Sequence, residues 1–229
     1  MEIAVALVAS DLHRNLILSI LFAASTVICE VCIVFAEKMF RANRCIKMSS
    51  FVLQPFESPH VPPLASMRAN VVQLEEQDLL GAPSGRLSVY TDMYTKILTV
   101  KLTPGVSSEA MLRLVNGTKA KAIVVCAFGS GNVPIRGNVL VDFAHKARER
   151  NIVVAVCTQN RFGKVDIRAY EAGRQLESTG VVGTGDMTLE TTIVKLKYLL
   201  GRGYAPDKIR ELLVKPLVGE ISLKQNSKL

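Results

Sequence analysis

Ala120-Lys-Ala-Ile-Val-Val-Cys126-Ala-Phe-Gly129-Ser-Gly131-Asn132-Val-Pro134 holds the strongest fold signal in the chain. A short apolar run rich in β-branched residues predicts a buried strand over Ile123–Cys126. Two glycines then make a tight turn with an asparagine at its tip. Downstream, Val139, Leu140, Phe143, Ala144 and Ala147 recur at helical spacing, which predicts an amphipathic helix over Pro134–Arg148. Ile152–Val156 is a second apolar run. Strand, helix and strand in this order make a βαβ unit with a parallel, right-handed crossover. In such folds ligand-handling groups sit at the carboxyl ends of strands, so the turn is a candidate nucleotide binder, enzyme site or packing corner.

Local chemistry narrows the choice. Gly129-Ser-Gly131-Asn-Val-Pro134 starts like G-x-G-x-x-G, but Pro134 takes the place of the third glycine. The strand ending at Cys157 is followed by Thr158, with no acid for a ribose hydroxyl, so the dinucleotide reading loses both supports. No Lys-Ser/Thr pair follows for a P-loop, there is no G-x-S-x-G elbow, and no metal-ligand spacing occurs. We therefore expect neither cofactor nor metal. The turn presents Asn132 to something polar.

The same α/β pattern continues outward on both sides. Ile97–Leu102 predicts a strand, with Ser107 or Ser108 capping a short helix that carries Met111, Leu112 and Val115. Helices are expected over Asp166–Ser178, around Leu189, Ile193, Leu196 and Leu200, and over Asp207–Val214 behind Pro206. Upstream, Gly81-Ala-Pro-Ser-Gly85 is the best linker signal. Ser49–Pro63 reads as irregular, Met67–Leu74 as one strand, and Phe40–Lys47 as a solvated loop holding three cations. Asp11–Ala24 is expected to be a buried helix capped by Asp11 or Ser10, leading into a buried strand over Val31–Phe35. Glu30 interrupts Leu16–Phe35, with Ser25 and Thr26 diluting it, which argues against a membrane span.

Bulk properties set the remaining bounds. The 229 residues suffice for one large domain or two small ones, and a mean hydropathy of +0.27 gives ample core. The 28 Lys and Arg exceed 20 Asp and Glu, but they are scattered among the acids. Aromatic residues make up only 6%, too few for a stacking platform, so nucleic acid is not an expected partner. The five cysteines, Cys29, Cys32, Cys45, Cys126 and Cys157, are odd in number and lie mostly in apolar runs. They read as core thiols of a reducing, cytoplasmic compartment, and Cys29-Glu-Val-Cys32 reads as structural.

Taken together, Phe128-Gly-Ser-Gly-Asn-Val-Pro134, Thr158-Gln159 through Tyr170-Glu-Ala-Gly173, and Gly185-Asp186-Met187-Thr188-Leu-Glu190 resemble the C-terminal domain of the bacterial-type L-asparaginases, closest to the cytoplasmic type I group. Upstream, Ser10-Asp11 with Asn15, Arg41-Ala-Asn43-Arg44 with Lys47, and Phe56-Glu-Ser58-Pro59 agree. The resemblance runs from about Ser10 to Ile221. It implies an α/β protein, with a shortened Rossmann-like N-terminal portion over residues 1–80, a linker over 81–96 and a smaller parallel α/β domain over 97–229. It implies hydrolysis of L-asparagine to L-aspartate and ammonia by the intact family, and a homo-oligomer.

The resemblance also assigns residues. Members carry two threonine segments, T-G-G-T-I and H-G-T-D-T, the first holding the nucleophile; neither occurs in this sequence. Lys47 matches the lysine of the second threonine's polar triad, in a loop where Ala42 replaces a usual glycine and Cys45 a usual Ser or Thr. Asn132 matches an asparagine that reaches into a neighbouring subunit's active site. Thr158 falls where some type I members contact an allosteric asparagine, with Cys126 in place of the arginine expected beside it. Gly185-Asp-Met-Thr188 reads as a turn and cap. Two readings follow: an incomplete, truncated asparaginase that is inactive by itself, or a catalytically dead module that binds a full-length subunit.

Overall fold

The computed structural model describes residues 2–24, 27–69, 71–75, 79–133, 139–169 and 171–222. The expectations resting on Met1, Ser25, Thr26, Pro134 and Tyr170 lie outside these residues. Two compact units divide the chain, Met1–Leu87 and Ser88–Leu229. The fold is α/β.

The C-terminal unit follows the hydrophobic pattern closely. Strands β7 (Ile97–Lys101), β8 (Ala122–Ala127), β9 (Val153–Thr158) and β10 (Val182–Gly183) form one sheet in that spatial order, every pair parallel. Residues of β8 alternate between two cores, because successive side chains point to opposite faces. Ile123, Val125 and Ala127 join Val115, Phe143 and Leu176 on one side. Ala122, Val124 and Cys126 join Leu196, Leu199, Ile209 and Leu213 on the other. Burial on both faces is why β8 and β9 read as unbroken apolar runs.

Helices α2 (Ser108–Gly117), α3 (Val139–Glu149) and α4 (Glu171–Ser178) cover the first face; α5 (Leu189–Gly201) and α6 (Pro206–Leu213) cover the second. Their caps are those expected: Ser107 Oγ accepts from Ala110 N, and Thr188 Oγ1 from Thr191 N. Pro206 opens α6 at a position whose N–H has no helical partner in any case. A turn of 3-10 helix at Ile167–Ala169 precedes α4, where one continuous helix was expected.

The N-terminal unit corrects several expectations. Helix α1 spans Glu2–Ala23, so Ser10 and Asp11 lie inside it and not at its start. Alanine-rich residues 2–9 contain no breaker and prolong the helix. Nor is α1 buried: Leu18 and Phe22 reach a core with Met39 and Leu64, while Leu12, Leu16, Ile17, Ile20 and Leu21 are each more than half exposed. No helix among the described residues is long and apolar enough to cross a membrane.

Strands β1 (Cys32–Phe35), β2 (Lys38–Arg41), β5 (Ala65–Arg68) and β6 (Val71–Leu74) form an antiparallel sheet in the order β1-β2-β5-β6. The expected single strand over Met67–Leu74 is thus part of a hairpin, reversed near Ala69, whose φ is +48°. Strand β1 is only half-buried, and the Val31 before it is exposed. Ala36 and Glu37 turn β1 into β2 with φ of +47° and +63°. Such a turn normally recruits glycine or asparagine. Here the Asn15 Oδ1 accepts from Ala36 N at 3.0 Å and Arg14 pairs with Glu37, fixing the turn to α1.

The expected solvated loop at Phe40–Lys47 is structured. Arg41 ends β2, a 3-10 turn covers Ala42–Arg44, and β3 (Ile46–Lys47) pairs antiparallel with β4 (Phe56–Glu57). Arg41 and Arg44 are buried, and Arg41 forms a two-pronged ion pair with Glu30. Glu30 Oε1 also accepts from Leu80 N at 2.7 Å. Burial alone would push the Glu30 carboxyl up, but these hydrogen bonds and the Arg41 charge outweigh it and hold it below its ordinary range. The acid that interrupts the apolar run is therefore the counter-ion of a buried arginine.

Candidate functional site at the carboxyl ends of β8 and β9

Strand β8 delivers the chain into the turn Phe128–Asn132. Phe128 and Asn132 exchange both backbone hydrogen bonds, at 2.9 and 2.7 Å, and Gly131 N also donates to Phe128 O at 3.1 Å. Closing so short a loop requires positive φ at Gly129 (+51°) and Gly131 (+106°). At Gly131 space is equally restrictive, since a Cβ there would lie 2.9 Å from Val165 Cγ1. The Asn132 side chain is exposed, whereas Val133 beside it is buried and anchors the exit.

The end of β9 braces this turn. Thr158 Oγ1 donates to Gly129 O at 2.5 Å and accepts from Asn160 N at 2.9 Å. Gln159 N donates to Ala127 O, and its Nε2 donates to Leu102 O at 2.7 Å and Cys126 O at 2.8 Å. One amide thereby ties together the carboxyl ends of β7, β8 and β9. From the segment after β9, Asp166 N donates to Ser130 O, and Val165 N to Gly185 O. Asn132 is thus an amide on a fixed backbone, able to donate and accept hydrogen bonds at once.

The structure brings Thr158 and Asn132 to the same turn, with the Thr158 hydroxyl committed to the turn's own carbonyl. Lys47 lies in the other unit, exposed on β3 opposite Phe56. Gln159, a residue with no expected role, is the main brace. The Gly185–Thr188 segment is a turn and cap, with Gly185 at φ +62° and Asp186 Oδ1 accepting from Ser222 N. Among the described residues no three His, Cys, Asp or Glu side chains gather as metal ligands would. The core reading of the cysteines holds for Cys126 and Cys157 only: Cys29 is exposed, and Cys32 and Cys45 are half-buried.

Comparison with known proteins agrees with this architecture. Residues 3–80 match the family model for the asparaginase N-terminal domain, and residues 96–213 that for the glutaminase/asparaginase C-terminal domain. L-asparaginase 1 of Escherichia coli is 31% identical over 223 residues, covering 96% of this chain and 64% of the relative. The human 60 kDa lysophospholipase is 34% identical over 216 residues, 93% of this chain and 37% of that protein. The crystal structure of L-asparaginase I from Vibrio cholerae superposes with a TM-score of 0.81 at 29% identity, covering 92% of this chain and 62% of its own. The chain spans less than two thirds of the length of these relatives. With the turn that carries Asn132 inside the second matched region, the chain belongs to the glutaminase/asparaginase family.

Proposed function

We propose that the protein works in the hydrolysis of L-asparagine to L-aspartate and ammonia, as the part of an oligomeric asparaginase that offers Asn132 to substrate bound by a neighbouring subunit. The supporting observation is the exposed Asn132 amide, held on a braced turn at the carboxyl end of a parallel strand. An amide side chain complements the amide and amino-acid groups of asparagine. Lys47 is the one triad position with a counterpart here; a cation beside a hydroxyl favours its deprotonated form during acyl transfer. In this reading residues 97–229 act as the C-terminal domain, residues 1–80 as the N-terminal portion and 81–96 as their linker, in the cytoplasm.

Residues 1–229 contain neither T-G-G-T-I nor H-G-T-D-T. We infer that this polypeptide alone releases no ammonia from L-asparagine, having no counterpart of the threonine nucleophile. Ammonia release above that of a Lys47→Ala control would refute this. Mixing with a full-length asparaginase subunit whose own counterpart of Asn132 is alanine tests the main proposal. Activity should return with the native chain and fail to return with Asn132→Ala; equal results with both would overturn it.

A second reading, a catalytically dead module that binds a full-length subunit, is favoured by the exposed apolar side chains of α1. It predicts association in the same mixture with no recovery of activity.

A further inference from the structure

Cys126 and Cys157 are direct register partners on the adjacent parallel strands β8 and β9, so both side chains leave the sheet on one face. Their sulfurs stand 3.4 Å apart, with the Cys157 thiol donating to Cys126. Neighbouring strands run about 4.8 Å apart. That spacing falls in the Cα separation of about 4.4–6.8 Å that a disulfide spans, so bond formation needs side-chain rotation more than backbone movement. Lys101 continues the same row as the β7 partner of Cys126. Cys157, Cys126 and Lys101 therefore occupy one register row across three strands.

We propose that Cys126 and Cys157 form a reversible disulfide, making the carboxyl ends of β8 and β9 a peroxide-sensitive modification site. Cys126 is the attacking sulfur. The hydrogen bond from Cys157 holds its thiol down to about 7, against burial and the Glu190 charge and with help from the Lys101 charge. Cys157 shifts the opposite way, pushed up by sharing its proton with Cys126 and by burial. Cys126 is also the less enclosed of the two, at 5% exposed against 1%.

The chemistry balances with hydrogen peroxide as the two-electron oxidant. The Cys126 thiolate attacks one peroxide oxygen and the O–O bond breaks; the departing hydroxide takes up a proton as water, leaving a sulfenic acid. Cys157 sulfur then attacks Cys126 sulfur. The S–O bond breaks, the hydroxyl leaves with the Cys157 proton as a second water, and the S–S bond forms. Two thiols are oxidised and one peroxide is reduced to two waters.

The site's position gives the bond an effect on the turn. Cys126 O accepts from Gln159 Nε2 and Leu102 N, and Cys157 is followed at once by Thr158, which holds Gly129 O. The bond would cross-link β8 at Cys126, whose own carbonyl is one of those braces, to β9 one residue before Thr158.

The test is peptide mapping of the full chain after hydrogen peroxide, alkylated in denaturant. Free thiols should fall from five to three, a linked peptide should join Cys126 to Cys157, and dithiothreitol should restore all five. A Cys29→Ser/Cys32→Ser variant, lacking the C-x-x-C with its exposed Cys29, should lose the same two thiols. Cys126→Ser should abolish the linked peptide. Mapping that finds Cys126 and Cys157 both alkylated, or Cys126 over-oxidised beside a free Cys157, would overturn the proposal without reference to any enzymatic activity.

Discussion

The Lys195 ammonium lies 2.5 Å from the Glu220 carboxylate, with the two side chains 4% and 3% exposed. Lys195 Nζ also donates to Leu213 O and Lys215 O, and Glu220 accepts from the backbone of Leu217 and Val218. This pair closes the segment after α6 against α5, and it is satisfied on every side the chain offers.

That arrangement predicts an acid limb in stability. Burial pushes the Glu220 carboxyl up, but the Lys195 hydrogen bond, the Val218 N–H and the Lys195 charge outweigh it and leave it below its ordinary range. A carboxyl depressed in the folded state contributes stability above its unfolded value of about 4.3, lost as pH falls through the folded value. Urea midpoints of the native chain should therefore drop in acid. Glu220→Gln leaves the Lys195 charge unpaired and should cost about 3–5 kcal/mol at neutral pH, with a shallower acid limb. An unchanged midpoint at pH 7 would contradict this.

Gly131→Ala should destabilise the Asn132 turn. The substitution places a Cβ against Val165 at a φ of +106°, for a cost of about 1–3 kcal/mol. Adding Val165→Ala should recover the steric part and leave the backbone strain. Denaturation of both single variants and the double variant measures the coupling. Simple additivity would show that the contact is not the cause.

Residues 88–96, which have no regular structure until β7 begins at Ile97, are fastened to the end of α5. The Arg202 guanidinium lies 3.5 Å from the centre of the Tyr90 ring, and Tyr90 meets Tyr198 edge-on. A Cβ on Gly201 would fall 1.7 Å from Asp92 O, an overlap that only displacement of the segment relieves. Gly201→Ala should thus speed proteolysis between Gly85 and Lys96 several-fold while the sheet's amide protection persists. Cleavage at the native rate would refute the fastening.

The exposed apolar side chains among the described residues of α1 predict concentration-dependent association of the isolated chain. Replacing Leu16 and Ile20 by glutamine should lower the apparent mass in light scattering, with little loss of helix by circular dichroism. A monodisperse native monomer would show that the exposed face drives no association.

The parallel sheet was legible because its signal is local. Strands such as Val153–Thr158, buried on both faces, announce themselves by apolar β-branched runs, and Ser107, Thr188 and Pro206 mark helix starts within one turn. What escaped reading depends on partners distant in sequence. Arg41 looks like a loop cation until Glu30 is brought beside it, and Ala36, Glu37 and Ala69 carry no glycine to betray their reversals. At the site, Asn132 and Thr158 stand in recognisable motifs. The role of Gln159 was hidden because its two acceptors, Leu102 O and Cys126 O, are defined only once three strands are in register.

The spatial order of β7, β8, β9 and β10 is also their order along the chain. Each strand has its neighbour already made when it leaves the ribosome, so the sheet can grow from one edge without waiting for a distant segment. The Asn132 turn follows the second strand, but its braces arrive only with Thr158 and Gln159 at the end of the third. During synthesis there is consequently an interval in which the β7–β8 pair exists with the Cys126 thiol uncovered. That interval outlasts the docking of β9 and ends when α5 and α6 cover the face that Cys126 shares with Leu196, Leu199, Ile209 and Leu213.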